Sequence, residues 1–275
     1  MQDYDEMVGY TDEQLHTHST FTPQAVILAA GRGRRLGSRV EEIPKCLLKV
    51  GGRSLLDHQL DMLAAVGIQD ICIVTGYHRR VVTQACRGRA HFIDNPDWSG
   101  TNSLYSFWLT RNWVNRSVVV MNCDVLAEQT VLKRLLQNPV SSFAYDSSSG
   151  GEDEHMKVEL SGGHLKSMSK SLDASKVHGE NVGMLYFSPE DARELYACAK
   201  TILDRRGREF WMASAVQELS RTRELSGIDI SGSSWIEIDY PEDLEQARNV
   251  TWPLIERRRK PRISEIGFEI TASAG

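Results

Sequence analysis

From residue 25 onward, the chain alternates short, continuously apolar runs with segments of helical period. The clearest apolar runs occupy residues 25–30, 71–75 and 117–121. Between the first two runs, Leu56, Leu60 and Leu63 recur at the spacing of one helix face. Strands that are apolar throughout and are linked by helices are typical of a parallel sheet with both faces covered. The sequence therefore predicts an α/β fold, with a mostly parallel sheet flanked by helices.

The second half of the chain has a different pattern. Short alternating segments at residues 141–145, 156–160 and 164–169 are separated by Gly and Ser turns, which predicts a small β-rich insertion. Ser188 and Pro189 then predict a helix start, because Ser caps well and Pro suits the first turn. We expect a leader over 1–22, one domain over 23–252 with halves at 23–140 and 141–252, and a basic tail over 253–275.

Composition excludes several classes of protein. Apolar residues make up 41% of the chain and charged residues 25%, as in soluble globular proteins. A net charge of -5 offers no broad attraction to nucleic acid or to anionic membranes. No apolar stretch approaches the roughly 20 residues of a membrane span, and the first residues lack a signal-peptide pattern. Five scattered cysteines without a CxxC pair predict reduced thiols. Taken together, these features predict a cytoplasmic protein with neither nucleic-acid nor membrane partners.

The segment directly after the first apolar run is the strongest candidate for an anion site. Residues 28–37 read LAAGRGRRLG, in which Gly31 and Gly33 let the backbone approach an anion and the arginines add positive charge. The third glycine of a dinucleotide-binding loop is replaced by Arg35, and no acidic residue ends the run at 71–75. An NAD-dependent oxidoreductase is therefore disfavoured. Taken alone, the loop fits either a phosphate site or a solvent-exposed turn.

Further motifs follow this loop in a fixed order. Pro44 and Lys45 come within ten residues of it, Asp124 follows the apolar run at 117–121, and Glu237 and Asp239 close a late strand. Together these motifs resemble the nucleotidylyltransferase family, which joins sugar phosphates and related phosphoesters to nucleoside triphosphates. The resemblance spans residues 25–250. It implies a Rossmann-like, nucleotide-diphospho-sugar transferase-like fold and a magnesium-dependent enzyme.

Three more segments narrow the resemblance. The most informative is TNSLYS over 101–106, and the others are MSK over 168–170 and GENVGM over 179–184. They look like the cytidylyltransferases that activate phosphocholine or 2-aminoethylphosphonate. This implies that CMP passes from CTP to a small amine-bearing phosphoester or phosphonate, with release of pyrophosphate. A sugar or inositol phosphate remains the main alternative acceptor. A non-catalytic nucleotide-binding subunit is the third hypothesis. Two metal-binding carboxylates argue against it, because nucleotide binding alone would not require them.

The resemblance and the expected strand ends assign roles to particular residues. Three cations are the predicted catalytic groups: Arg35 for the β- and γ-phosphates, Lys45 for the α-phosphate and acceptor, and Lys170 for the acceptor's anionic end. Lys157 is an alternative to Lys170. The predicted nucleotide-binding residues are Leu28, Ala30, Gly31, Gly33, Thr101 and Asn102. The predicted acceptor-binding residues are Glu180, Tyr186 and Trp211. The predicted ligands of Mg²⁺ are Asp124, Glu237 and Asp239.

Physical arguments support the predicted metal site and mechanism. Carboxylates that converge at strand ends repel each other unless a cation lies between them, and hard oxygen ligands near a triphosphate favour magnesium. Helix capping is the alternative role for Asp124 and Asp239. The attacking acceptor oxygen is already ionised at neutral pH, so the reaction needs positioning and charge neutralisation rather than a general base. Folds of this type commonly associate, and a homodimer remains open.

Overall fold

A nine-stranded mixed sheet with helices on both faces forms the centre of the computed structural model, which describes residues 22–259 except 37–42, 87, 138–139 and 150–154. Residues 1–21 of the expected leader over 1–22, Gly37, and residues 260–275 of the expected tail lie outside the described residues. The strands are β1 (Gln24–Ala29), β2 (Lys49–Val50), β3 (Arg53–Ser54), β4 (Ile71–Thr75), β5 (His91–Asp94), β6 (Val118–Asn122), β7 (Val125–Ala127), β8 (Ser142–Asp146), β9 (Lys157–Ser161), β10 (His164–Ser169), β11 (Gly179–Phe187), β12 (Ser226–Asp229) and β13 (Trp235–Glu237). The helices are α1 (Leu55–Ala64), α2 (Arg79–Ala85), α3 (Ser103–Leu109), α4 (Gln129–Leu136), α5 (Pro189–Arg206), α6 (Ala213–Leu219), α7 (Pro241–Gln246) and α8 (Trp252–Arg259).

The order of the strands in the large sheet is β5-β4-β1-β6-β11-β8-β12-β10-β9. The first four strands are parallel, and β11 runs antiparallel to both β6 and β8. The predicted α/β class is confirmed, and a second parallel pairing, of β12 with β8, lies in the other half of the sheet. The predicted β-rich second half extends the same sheet. A separate two-stranded pairing joins β13 to β7.

The central strand β1 is buried along its whole length, as its continuous apolar run predicts. Ile27 packs with α1 on one face of the sheet, and Val26 packs with α3 and α5 on the other. In the register of β1 with β6, Leu28 lies opposite Asn122. The carboxyl ends of these strands therefore open side by side. Chain segments that leave the sheet at this edge share one site.

Two helix starts follow the local chemistry of their sequences. Ser54 caps α1 by accepting a hydrogen bond on Oγ from the Asp57 backbone N–H at 3.0 Å, and the two residues form a capping box. Ser188 caps α5 in the same way, and Pro189 fills the first helical position. Two later elements, α6 and β12, are absent from the sequence-based expectation.

The composition leads to expectations about the cysteines and about membrane spans. All five cysteines are buried and none forms a disulfide. Within the described residues, no helix combines the length and the apolarity needed to cross a bilayer.

The C-terminal segment corrects the predicted domain boundary at residue 252. A π-helical turn, Ala247–Thr251, leads directly into α8, whose Ile255 is 1% exposed within a core cluster. Arg258 donates a hydrogen bond to the Gly232 carbonyl at 2.8 Å and pairs with the buried Glu128 carboxylate. A run of arginines alone predicts a solvent-exposed end, but here it follows Ile255, which is packed in the core. The folded domain therefore continues to Arg259.

This boundary predicts unequal effects for two adjacent substitutions in α8. Ile255→Ala should lower the free energy of unfolding by about 2 to 4 kcal/mol, because it opens a cavity in a packed cluster. Leu254→Ala is the matched control, since Leu254 is 40% exposed and its truncation should change stability by less than about 1 kcal/mol. Urea unfolding measures both. Equal effects would show that α8 is not part of the core.

Candidate active site

A cavity of about 390 Å³ opens at the carboxyl ends of β1 and β6. It brings together thirteen of the predicted site residues. From the nucleotide-binding set it is lined by Leu28, Ala30, Gly31, Gly33, Thr101 and Asn102. From the other predicted sets it is lined by Arg35, Lys45, Lys170, Trp211, Asp124, Glu237 and Asp239. Thirteen residues that are distant in sequence therefore line one contiguous cavity.

Lys45 lies at the centre of a charge cluster at the base of this cavity. Its side chain is almost fully buried, and its Nζ lies 2.7 Å from Asp124 Oδ2 and 2.5 Å from Asp239 Oδ1. Burial alone would lower the pKa of Lys45, but the two carboxylates outweigh it and hold the pKa well above its usual range. Arg35 adds a second cation 3.2 Å from Asp239 Oδ2. The cluster therefore keeps Lys45 as an ammonium.

Backbone pairing brings the acidic residues together. Asp124 lies in the short connection between β6 and β7, and its carbonyl accepts a hydrogen bond from the Ile238 N–H at 3.1 Å. β13 pairs with β7, which places Glu237 and Asp239 beside that connection. Neither aspartate caps a helix, since the N-cap of α7 is Tyr240. The capping alternative for the two aspartates is therefore wrong.

The acidic cluster has the donor chemistry of a divalent-cation site. One carboxylate oxygen each from Asp124, Glu237 and Asp239 lies within 4.8 Å of the others, the one such grouping among the described residues. The second oxygen of Asp124 is buried without a hydrogen-bond partner. Burial, together with the charge of Asp124, raises the pKa of Glu237 to about 8. Three hard oxygen donors and one orphaned carboxylate oxygen fit Mg²⁺.

The glycine-rich loop lies against Lys45 and is not simply a solvent turn. Gly33 has a φ of +70°, and a Cβ at this position would lie 3.2 Å from the Lys45 Cβ. Glycine thus meets both the backbone and the packing requirement there. The guanidinium of Arg32 lies 5.5 Å from the Tyr77 ring centroid, and that of Arg35 lies 5.7 Å from the Tyr240 ring centroid. Of these two cations, Arg35 lines the cavity.

A second wall of the cavity is held by an internal hydrogen-bond network. The buried Asn95 donates from Nδ2 to Thr101 Oγ1 and to Ser106 Oγ, both at 3.0 Å. Asn102 caps α3 by accepting from the Ser103 N–H at 2.8 Å. Thr101 and Asn102 therefore support the wall's shape as well as lining it. This wall also contains cavity-lining residues that the site prediction missed, namely Asn95, Trp98, Ser103 and Ser106.

A third wall distinguishes between the two candidate acceptor lysines. Lys170 lines the cavity, with its Nζ 5.2 Å from the centroid of the Trp211 ring. Lys157 is buried outside the cavity lining and donates a hydrogen bond to the Lys170 carbonyl at 3.3 Å. Of the two lysines, Lys170 therefore faces the site and Lys157 supports its backbone. Other residues of this wall that the prediction missed are Met156, Met168, Asn181 and Met212.

Two predicted acceptor-binding residues are placed elsewhere. Along β11, Asn181 and Gly183 line the cavity, whereas Glu180 and Tyr186 occupy positions of the opposite parity. Glu180 is buried with its Oε2 2.9 Å from His155 Nδ1, and Tyr186 packs against the core cluster that contains α1. Glu180 and Tyr186 therefore do not face the acceptor side of the cavity, which corrects that part of the prediction.

Fold and site together define a class of protein. A phosphate-binding type of loop after the first strand of an α/β sheet, facing a lysine and three carboxylates, suits the handling of nucleoside triphosphates. The chain belongs to the MobA-like NTP transferase domain family, whose profile matches residues 25–215. That match covers both the glycine-rich loop and Asp124.

Individual relatives carry informative names. Over 124 residues the chain is 40% identical to the CMP-5'-(3-aminopropyl)phosphonate synthase of Streptomyces rubellomurinus, a match to 43% of this chain and only 20% of that protein. It is 23% identical to the CTP:phosphoglutamine cytidylyltransferase of Campylobacter jejuni, covering 80% of this chain and 97% of the relative. The solved CTP:phosphocholine cytidylyltransferase of Streptococcus pneumoniae superposes with a TM-score of 0.68 at 19% identity, covering 83% and 98% of the two chains. At that identity, the superposition shows the fold alone.

The raised pKa of Glu237 predicts how stability depends on pH in metal-free protein. The folded state keeps a proton on Glu237 up to about pH 8, whereas the unfolded chain releases it near its ordinary pKa of 4.5. The folded state thus binds more protons in this range, so stability should fall as pH rises. Relative to Glu237→Gln, the wild type should lose roughly 1 to 3 kcal/mol between pH 6 and pH 8.

Urea unfolding in EDTA at the two pH values measures this difference. Glutamine at position 237 cannot ionise, so the variant is the control for all other titrating groups. Identical pH dependence in both proteins would show that Glu237 is ionised before pH 6.

Proposed function

We propose that the protein is a cytidylyltransferase, which transfers CMP from CTP to a small amine-bearing phosphoester or phosphonate and releases pyrophosphate. The observation that carries this proposal is the buried Lys45 ammonium held between Asp124 and Asp239 beside a glycine-rich loop. CTP and the acceptor class are supported by the names of relatives, two of which act with CTP and one of which makes a CMP-linked aminoalkylphosphonate. Phosphocholine and 2-aminoethylphosphonate are the acceptor types proposed.

The chemical difficulty of this reaction is the meeting of two anions. An oxygen of the acceptor's phosphate or phosphonate must approach the α-phosphorus of CTP, in line with the departing pyrophosphate. Because that oxygen is already ionised, no side chain has to remove a proton from it. The protein must instead neutralise charge and hold the reactants in line. Permanently charged groups at fixed positions meet this need.

Lys45 and Arg35 are the groups placed to neutralise this charge. Lys45 is held by two carboxylates before any substrate arrives, so no reorganisation is needed when negative charge develops at the α-phosphate. Arg35 is 44% exposed at the mouth of the cavity, where it can reach the β- and γ-phosphates. Loop backbone N–H groups at Gly31 and Gly33 would bind the same phosphates.

The cofactor proposed for this site is Mg²⁺, held by Asp124, Glu237 and Asp239. When bound, it would offset charge on the α-phosphate and on the departing pyrophosphate. Asp124 and Asp239 also orient Lys45, so these carboxylates serve the ammonium and the metal together. Glu237 must lose its proton to act as a ligand, because metal ligands bind in the deprotonated form.

The acceptor is proposed to bind at the wall that contains Lys170 and Trp211. Lys170 would hold the acceptor's anionic end. Burial opposes ionisation of Asp239, but nearby cations hold its pKa below the usual value. Lys45 contributes most to this lowering, and Lys170 contributes less. The neighbouring surface is apolar and soft, formed by Met156, Met168 and Met212. An aliphatic amine suits such a surface better than a polyol, which would need several hydrogen-bonding side chains.

A pyrophosphate-release screen tests the proposed substrates. We expect activity with CTP above that with ATP, GTP or UTP, and with 2-aminoethylphosphonate or phosphocholine above that with glucose 1-phosphate. Ethylphosphonate, which lacks the amine, should react with a kcat/KM lower by roughly 5- to 150-fold, a loss of about 1 to 3 kcal/mol of transition-state stabilisation. Preference for glucose 1-phosphate or an inositol phosphate would replace the proposed acceptor by the sugar-type alternative.

The proposed metal site makes its own prediction. Asp124→Asn should lower kcat by roughly 10² or more, because one charge is lost from both the Lys45 pair and the cation site. The wild type should be inactive in EDTA and recover when Mg²⁺ is restored. Asp204→Asn makes the same chemical change on the exposed face of α5, so it should leave kcat unchanged. Full activity of wild type in EDTA, or of the Asp124 variant, would contradict the metal assignment.

A further inference from the structure

The turn that carries Asp124 is held by a side chain from outside the cavity. Gln59, on α1, is completely buried and does not line the site. Its Nε2 donates hydrogen bonds to the Asn122 carbonyl at 2.7 Å and to the Val125 carbonyl at 3.0 Å. These two carbonyls lie on either side of Asp124 in sequence. One amide group therefore fixes both ends of the turn.

The geometry of this contact requires two N–H donors in a neutral group. A glutamine amide has two, and both point at carbonyl oxygens here. Glutamate would place a buried carboxylate against those oxygens, and methionine of similar length would donate nothing. The middle of the turn is held from the other side, because the Asp124 carbonyl accepts from the Ile238 N–H. Gln59 and Ile238 together leave the turn little freedom to rotate.

We propose that Gln59 is a positioning residue for nucleotidyl transfer, which sets the placement of the Asp124 carboxylate relative to Lys45 and the other acidic residues. This inference rests on the proposed function. Asp124 Oδ2 lies 2.7 Å from Lys45 Nζ, and a rotation of the turn would lengthen that contact and separate the three carboxylates. Losing supports behind metal ligands typically costs 10- to 100-fold in metal affinity or activity.

Gln59→Met tests the proposal, because it removes both donors while keeping a side chain of similar length. We expect kcat to fall roughly 10- to 100-fold, with a smaller change in the KM for CTP. The dissociation constant for Mn²⁺, measured without substrates by the electron paramagnetic resonance of the free ion, should rise by roughly the same factor. Backbone amides of residues 122–125 should exchange hydrogen faster than in the wild type.

His58→Met is the matched control. His58 is the adjacent buried residue on α1, and it also makes a side-chain hydrogen bond to a backbone carbonyl, that of Val50 at 2.9 Å. Its loss should lower stability but change kcat and the Mn²⁺ dissociation constant less than about threefold. If Gln59→Met fails to fold, Gln59→Asn, which keeps an amide too short to reach both carbonyls, should show the same losses.

The outcomes separate this inference from the proposed function. Near wild-type kcat and Mn²⁺ affinity in the Gln59 variant would overturn it, as would equal losses in the His58 variant. A wild type that binds Mn²⁺ but transfers no nucleotide would contradict the proposed function. In that case, the Mn²⁺ and hydrogen-exchange comparisons would still decide the role of Gln59.

Discussion

The buried ion cluster at Lys45 is the interaction on which the rest of the site depends. It joins Lys45 to Asp124 and to Asp239, which lie 79 and 194 residues later in the sequence. A buried charge is strongly unfavourable unless it is paired and hydrogen-bonded, so the cluster forms only when all three segments are in place. Asp124 follows β6 at the open edge of the sheet, Lys45 reaches it from the turn Lys45–Leu47, and the pairing of β13 with β7 brings in Asp239. The charge cluster is thus completed by β13, the last strand of the described fold.

The charge cluster has a fixed geometry and a fixed charge. Lys45 is charged at every physiological pH, so the protein does not gate the reaction by protonation of this group. Asp239 is shared between Lys45 and Arg35, which ties the base of the cavity to its mouth. A triphosphate that enters must therefore bind a pre-formed array, and positioning becomes the main contribution of the protein.

Much of the fold and site could be predicted because the decisive signals are local. A run of five or six apolar residues rich in Val and Ile favours a buried strand, and a glycine-rich loop after it lies at the sheet's open edge. Asp124 and Asp239 follow strands, so they could be placed there too. Glu180 and Tyr186 could not be placed, because β11 is apolar on both faces and its register shifts between Asn181 and Leu185. Gln59 gives no local signal, since its partners are carbonyls more than sixty residues away.

The cavity wall that contains Thr101 and Asn102 and the wall that contains Lys170 are connected by backbone hydrogen bonds as well as by side chains. The segment between α5 and α6, which carries Trp211, donates and accepts at the start of α3: the Asn102 N–H donates to the Arg208 carbonyl at 3.0 Å, and the Met212 N–H donates to Ser103 Oγ at 2.9 Å. These bonds fix the distance between the wall that contains Thr101 and Asn102 and the wall that contains Lys170. In-line transfer between two anions depends on that distance, because a displacement of about 1 Å can cost 10²-fold in rate. Under the proposed function, side chains such as Trp211 would set acceptor preference while the backbone keeps the reaction geometry fixed.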